Sequence, residues 1–135
     1  MKFMANTHYR SRRTKTGKKL RKFRKKRKYE LASPPIETKQ GPERKKKVRT
    51  RGGNAKVKLF NSEKINVVNP KNGEIKSAKI NSVELNPSSI DYNRRSIITK
   101  GTILETEMGY VKVTSRPGQH GILNGIIVDY KKSKK

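Results

Sequence analysis

Thr102-Ile103-Leu104-Glu105-Thr106-Glu107-Met108-Gly109-Tyr110-Val111-Lys112-Val113-Thr114-Ser115 is the stretch that decides the fold. Apolar and polar side chains alternate on both sides of Met108-Gly109, so the period is two and not that of a helix. Such alternation marks strands with one buried face, and the Gly-containing break between them marks a hairpin. Residues 102–107 and 110–115 are therefore expected to pair. Working outward, residues 96–100 read as another strand and residues 122–130 as the last. Arg116-Pro117-Gly118-Gln119, between them, fits a type II turn. Upstream, Val57 and Leu59 alternate with lysines, and Ile65, Val67 and Val68 make a second short strand. Pro70-Lys71-Asn72-Gly73 is a turn. Residues 74–85 form one long strand whose apolar parity slips between Ile75, Ala78 and Ile80, and again before Val83 and Leu85. Slips of this kind predict bulges or strong coiling. Asn86-Pro87-Ser88-Ser89 ends that strand, and residues 90–95 are an irregular connection or one helical turn. Closing short antiparallel strands into a barrel protects their edges. The expected fold class is all-β: a small antiparallel β-barrel-like domain with a long basic N-terminal extension.

Charge dominates everything outside that domain. Lys and Arg number 36 against 10 Asp and Glu, a formal net charge of +26 on 135 residues. Residues 1–30 carry 14 of the cations and one acid, Glu30. The expected organisation is a basic extension (1–30), a Pro/Gly-punctuated basic connector (31–55), a β domain (56–130) and a basic end (131–135). Lys18 and Lys22, Arg21 and Lys25, and Arg24 and Lys28 are like charges four apart, each costing a helix about 0.2–0.5 kcal/mol. The extension is thus expected to lack stable structure until a polyanion neutralises it. Ser33-Pro34-Pro35 imposes an extended path on the connector, and Gly41-Pro42 breaks it again.

Several function classes find no support. Ile126-Ile127-Val128 is far too short to span a bilayer. Residues 18–29 offer only Leu20, Phe23 and Tyr29 among nine cations, too thin an apolar face for a membrane-surface helix. Met1-Lys2-Phe3-Met4 leads straight into polar and basic residues, so no signal peptide is expected. The absence of cysteine excludes disulfides and thiolate metal sites. His8 and His120 are the two histidines and do not stand at metal-ligand spacing. Glu105 and Glu107 share one strand face, where two solvent-facing acids opposite lysines are a sufficient explanation. No catalytic residue, metal or cofactor is expected, nor a membrane or small-molecule substrate as partner. His120 is the candidate base should an enzymatic reading be pursued.

Cations with interleaved aromatics point instead to nucleic acid. In the extension, Arg10, Arg12, Arg13, Arg21, Arg24 and Arg27 are interspersed with Lys18, Lys19, Lys26 and Lys28. Arginine contacts phosphate bidentately and stacks on bases. Tyr9, Phe23 and Tyr29 could stack on unpaired bases, which loops and bulges of folded RNA offer and duplex DNA does not. The connector adds Arg44, Lys46, Arg49 and Arg51. Gly52-Gly53-Asn54 permits either close backbone approach to a partner or an ordinary turn. Arg94-Arg95 and Arg116 flank expected loops of the β domain, where contacts concentrate. The competing reading is a basic architectural protein that coats DNA.

Several motifs, in order and spacing, bear a family resemblance. They are Lys26-Arg27-Lys28-Tyr29-Glu30-Leu31, Ser33-Pro34-Pro35 and Val48-Arg49-Thr50-Arg51-Gly52-Gly53-Asn54. Asn66-Val67-Val68-Asn69-Pro70, Arg94-Arg95-Ser96-Ile97-Ile98-Thr99-Lys100-Gly101 and Val113-Thr114-Ser115-Arg116-Pro117-Gly118-Gln119 continue the series. Over nearly its whole length the chain resembles the small-subunit ribosomal protein number eight family of the eukaryotic/archaeal type, in its short archaeal form. The resemblance implies a β-barrel-like core, a basic extension buried in small-subunit ribosomal RNA and no catalytic activity. It also implies a cytoplasmic, ribosomal location and other small-subunit proteins as neighbours. The positions it carries to RNA are Arg12, Arg13, Lys26, Arg27, Lys28, Tyr29, Arg49, Arg51, Gly52, Gly53, Asn54, Arg94, Arg95 and Arg116. The chain departs from the family pattern at His120, in place of an acid, and at Gly125, in place of a larger residue.

Overall fold

The computed structural model describes residues 11–21 and 23–130. These fall into two compact units divided between Pro35 and Ile36. Arg10, Tyr9, His8, Lys22 and the basic end at 131–135 lie outside the described residues.

The second unit holds a closed barrel and a small sheet. Barrel strands are β4 (Lys64–Val68), β5 (Ile75–Leu85), β6 (Ile103–Thr106), β7 (Gly109–Val113) and β8 (Asn124–Ile127). The small sheet comprises β1 (Lys39–Gln40), β2 (Arg44–Arg49) and β3 (Ala55–Ser62), in the order β1-β3-β2. Helical turns α1 (Ile90–Arg94) and α2 (Pro117–His120) sit between strands. The β6–β7 hairpin forms where the alternation places it, with Leu104, Thr106, Val111 and Val113 buried. Successive antiparallel pairings from β4 to β8 leave the last strand running in the same direction as the first. The ring must therefore close through a parallel pair, and Asn66↔Asn124, Val67↔Gly125 and Val68↔Ile126 are in register.

The inner rows make one core: Leu59, Ile65, Val67, Ala78, Ile80, Ile98, Leu104, Val111, Val113 and Leu123. Leu59 belongs to β3, so it ties the small sheet to the barrel. The Thr38 hydroxyl donates to Leu59 O at 2.8 Å, and Gln40 Nε2 donates to Ile80 O at 2.6 Å. Both bonds satisfy backbone acceptors beside the core, where an unmet group is costly. Closing the barrel also demands glycine. A Cβ at Gly125 would lie 2.4 Å from Val111 Cγ1 and 2.9 Å from Lys112 O. The departure from the family pattern at Gly125 thus falls where a side chain would meet Val111 and the Lys112 carbonyl.

Several expectations need correction. Residues 96–100 are no strand but a loop that makes one bridge, Ile98 to Thr38. Ile97 and Ile98 are both buried, which a strand with one wet face does not allow. Ser96 turns the chain at a φ of 52°, and buried Asn86 holds the loop by donating to Ile97 O at 2.7 Å. The stretch from Arg116 is a helical turn, not a type II turn: Pro117 opens α2, and Gly121, not Gly118, takes the left-handed φ of 73°. Of the two parity slips in β5, the second falls where the pairing with β6 shifts register twice, between Ile80 and Ser82 and between Val83 and Leu85. The first does not, because Ile75 simply points outward and is 70% exposed. β2 lies inside the stretch read as a connector, and β3 belongs to the small sheet and not to the barrel.

Among the described residues, that core cluster holds only residues of the second unit. The described residues of the first unit form two local, hydrogen-bonded turns. Arg13 and Lys19 pair as an isolated bridge around Gly17, whose φ is 84°. Further on, a 3-10 turn at Lys28–Glu30 is closed by Glu30, which accepts from the Arg27 backbone N–H at 3.0 Å and from Arg24 Nη2 at 2.6 Å. The backbone bond, then the Arg24 guanidinium, holds the Glu30 carboxyl below its ordinary value, against the opposing effect of burial.

Two outcomes are expected. Gly125→Ala overpacks the β7–β8 seam and should cost about 1–3 kcal/mol, and Leu104→Ala about 2–5 kcal/mol, each read as a lower urea midpoint. A lowered carboxyl pKa stabilises the turn above the ordinary carboxylate range, and that stabilisation is lost as pH falls through the lowered value. In an NMR titration the Arg27 amide shift should accordingly move with an apparent pKa below that of an ordinary glutamate.

Candidate nucleic-acid interface

β2 and β3 form an antiparallel ribbon joined by Thr50-Arg51-Gly52-Gly53-Asn54. Residues 44–62 contain eight cations and no acid. Six of the eight lie on β2 or at the tip: Arg44, Lys45, Lys46, Lys47, Arg49 and Arg51, all exposed. β3 supplies Lys56 and Lys58. The register sets Lys46 directly opposite Lys58, and Val48 opposite Lys56. Like charges facing each other across two strands destabilise the pair. Among the described residues, Lys46, Lys47, Arg49, Lys56 and Lys58 make no ion pair, whereas Lys45 pairs with Glu43. The Arg44 guanidinium lies 5.7 Å from the centre of the Phe60 ring.

The tip needs its glycines. Gly52 and Gly53 take φ values of 74° and 78°, a left-handed conformation that disfavours any side chain with a Cβ. Thr50 closes the loop: its N–H and its hydroxyl donate to Asn54 O at 2.7 and 3.0 Å. Nothing lies within 4 Å of where a Gly53 Cβ would stand, so the tip is thin and its backbone approachable.

Other cations stand in smaller groups. The Arg13–Lys19 bridge gathers Arg12, Arg13, Lys18 and Lys19, and Arg13 Nη1 donates to Gly17 O at 3.0 Å. Arg21, Lys26, Arg27 and Lys28 are exposed beside the Glu30 turn. Arg24 is committed to Glu30, which raises its pKa further. Tyr29 and Phe23 are 65% and 73% exposed, and the Tyr29 hydroxyl accepts from Arg24 Nη2 at 3.4 Å. Arg94 is exposed at the end of α1, whereas Arg95 is tied to Glu37 and, at 3.5 Å, to Asp91. Its bond to Glu37 raises its pKa, and the guanidinium fastens α1 to the chain leading into β1. Arg116 is exposed at the cap of α2, and α2 packs on β3, with Gly121 against Val57.

Sequence reasoning named Arg44, Lys46, Arg49 and Arg51 but passed over Lys56, Lys58, Lys64 and Lys79. Lys64 and Lys79 also face each other, across β4 and β5. The signal for Lys56 and Lys58 was their alternation with Val57 and Leu59, which put both lysines on one face. By contrast, the β6–β7 hairpin carries Glu105 and Glu107 against the single cation Lys112. His120 is accounted for locally: its Nδ1 accepts from the Arg116 backbone N–H at 3.3 Å, a role that a carboxylate would also fill. Among the described residues no three His, Asp or Glu side chains are grouped to hold a metal, and no helix is long and apolar enough to cross a membrane.

Comparison with known proteins agrees with the resemblance read from the motifs. A model of the ribosomal protein S8e family matches residues 7–128. The chain is 48% identical over 113 residues to the small ribosomal subunit protein eS8 of Nanoarchaeum equitans, covering 84% of this chain and 89% of that protein. It is 47% identical to the eS8 of Staphylothermus marinus, covering 84% and 90%. The eS8 of Methanobrevibacter smithii is 45% identical over 125 residues, 93% of this chain and 100% of the relative. A basic ribbon mounted on a closed barrel, on a sequence this similar along nearly all its length, places the chain in the ribosomal protein S8e family.

Proposed function

We propose that the chain is a structural, non-catalytic constituent of the small ribosomal subunit that binds and stabilises folded small-subunit RNA. Its place would be the cytoplasmic ribosome, beside other small-subunit proteins. The observation that carries this reading is the β2–β3 ribbon, with Lys46 set against Lys58 and no acid in residues 44–62. A polyanion relieves that repulsion, and relatives named as small ribosomal subunit proteins support small-subunit RNA as that polyanion. The basic extension to residue 30, with its exposed Phe23 and Tyr29, acts in the same way on unpaired bases. Flexible cations let RNA segments approach, while the barrel holds the ribbon and its tip in a fixed geometry. Arg95 serves the scaffold, whereas Arg94 and Arg116 remain available to phosphate.

Binding of the full chain to small-subunit RNA should fall linearly on a log–log plot against salt. If about ten phosphates are covered, the slope is roughly −7 on single-strand-like sites. Replacing Lys46 and Lys58 together by alanine removes two contacts and should make the slope shallower by about 1.4 to 1.8. An unchanged slope would exclude the ribbon from the interface. Equal affinity for a DNA duplex, with co-sedimentation on chromosomal DNA and not on small subunits, would favour the DNA-coating alternative.

A further inference from the structure

The ribbon carries cations on two faces, not one. Side chains along a strand point alternately to opposite sides. One face therefore presents Arg44 and Lys46 from β2 with Lys56 and Lys58 from β3, and Phe60 beneath the Arg44 guanidinium. The opposite face presents Lys45, Lys47 and Arg49 from β2. There the β3 partners are Leu59, Val57 and Ala55, with Leu59 in the core and Val57 against Gly121 of the α2 end. The second row thus lies along the outer, unpaired edge of β2. Lys47 and Arg49 of this row have no acidic partner among the described residues, and the first row has none either.

A single stretch of phosphates laid on one face would leave the other row uncompensated. The thin tip, with Gly52 and Gly53 left-handed, suits entry into a narrow space between backbones. Resting on the RNA-binding reading above, we infer that the β2–β3 ribbon inserts between two RNA backbone segments that are not contiguous in sequence, one against the face of Lys46 and Lys58 and one along the outer edge of β2 that carries Lys47 and Arg49. It then acts as a cationic spacer that bridges them.

The chain has no cysteine, so single-cysteine variants give clean attachment points. Lys46→Cys and Lys58→Cys report the first face, and Lys47→Cys and Arg49→Cys the second. Each full-length variant is alkylated with a short aryl azide, bound to small-subunit RNA and irradiated, and the crosslinked nucleotides are mapped by primer extension. Lys28→Cys in the extension serves as reference. The inference expects Lys46→Cys and Lys58→Cys to label one RNA segment in common, and Lys47→Cys and Arg49→Cys to label a second, separated segment. Labelling of one continuous stretch by all four, or labelling from one face only, would overturn it. Labelling from Lys28→Cys alone would also overturn it while leaving RNA binding through the extension intact. Loss of labelling from every position, Lys28→Cys included, would overturn the RNA-binding reading itself.

Discussion

Lys46 and Lys58 stand directly opposite each other in the register of β2 on β3, and the rest of the fold must hold that like-charged pair in place. Arg13 against Lys19 and Lys64 against Lys79 repeat the motif. Two unit charges 4 Å apart in bulk water repel by only about 1 kcal/mol, and salt screens this further. A folded barrel therefore tolerates a few such pairs. It gains nothing from them, however, and their recurrence on a chain of net charge +26 is what supports the proposed polyanionic partner.

The barrel supplies what the ribbon cannot supply for itself. A two-stranded hairpin is marginal in water even without like charges. Here β3 sinks Leu59 into the common core, Thr38 and Gln40 donate to backbone oxygens beside it, and Gly121 lets Val57 come close. The charged length of the ribbon is thus fixed at its base by apolar burial and left bare towards its tip. Gly125 and the parallel β4–β8 pair close the ring to which that base is attached. Rigid scaffold and bare cations are complementary parts: the core sets where the charge sits, and the proposed RNA partner would neutralise it.

The parts of the fold legible in the sequence were those with one wet face and one dry face. β6, β7 and β4 alternate clearly because water on one side enforces polar residues at every second position. β2 has water on both sides, so Arg44 to Arg49 carries no hydrophobic period and reads as connector. The loop at 96–100 misleads for the opposite reason, since Ile97 and Ile98 are both buried and Asn86 holds them from a distance in sequence. For the proposed interface, net charge pointed to a class of partner and to candidate cations. It did not reveal that Arg95 is consumed by Glu37, 58 residues away in the chain, because only tertiary structure brings the two together. Nor did it reveal which lysines share a face, which depends on the register of β2 on β3.

Amide hydrogen exchange on the full chain, with and without small-subunit RNA, tests the central claim most directly. Exchange slowed at residues 44–58, with β6 and β7 unchanged, is the predicted result, since RNA covers the ribbon and the barrel is already formed. Unchanged exchange in the ribbon, or protection confined to the β6–β7 hairpin, would contradict it.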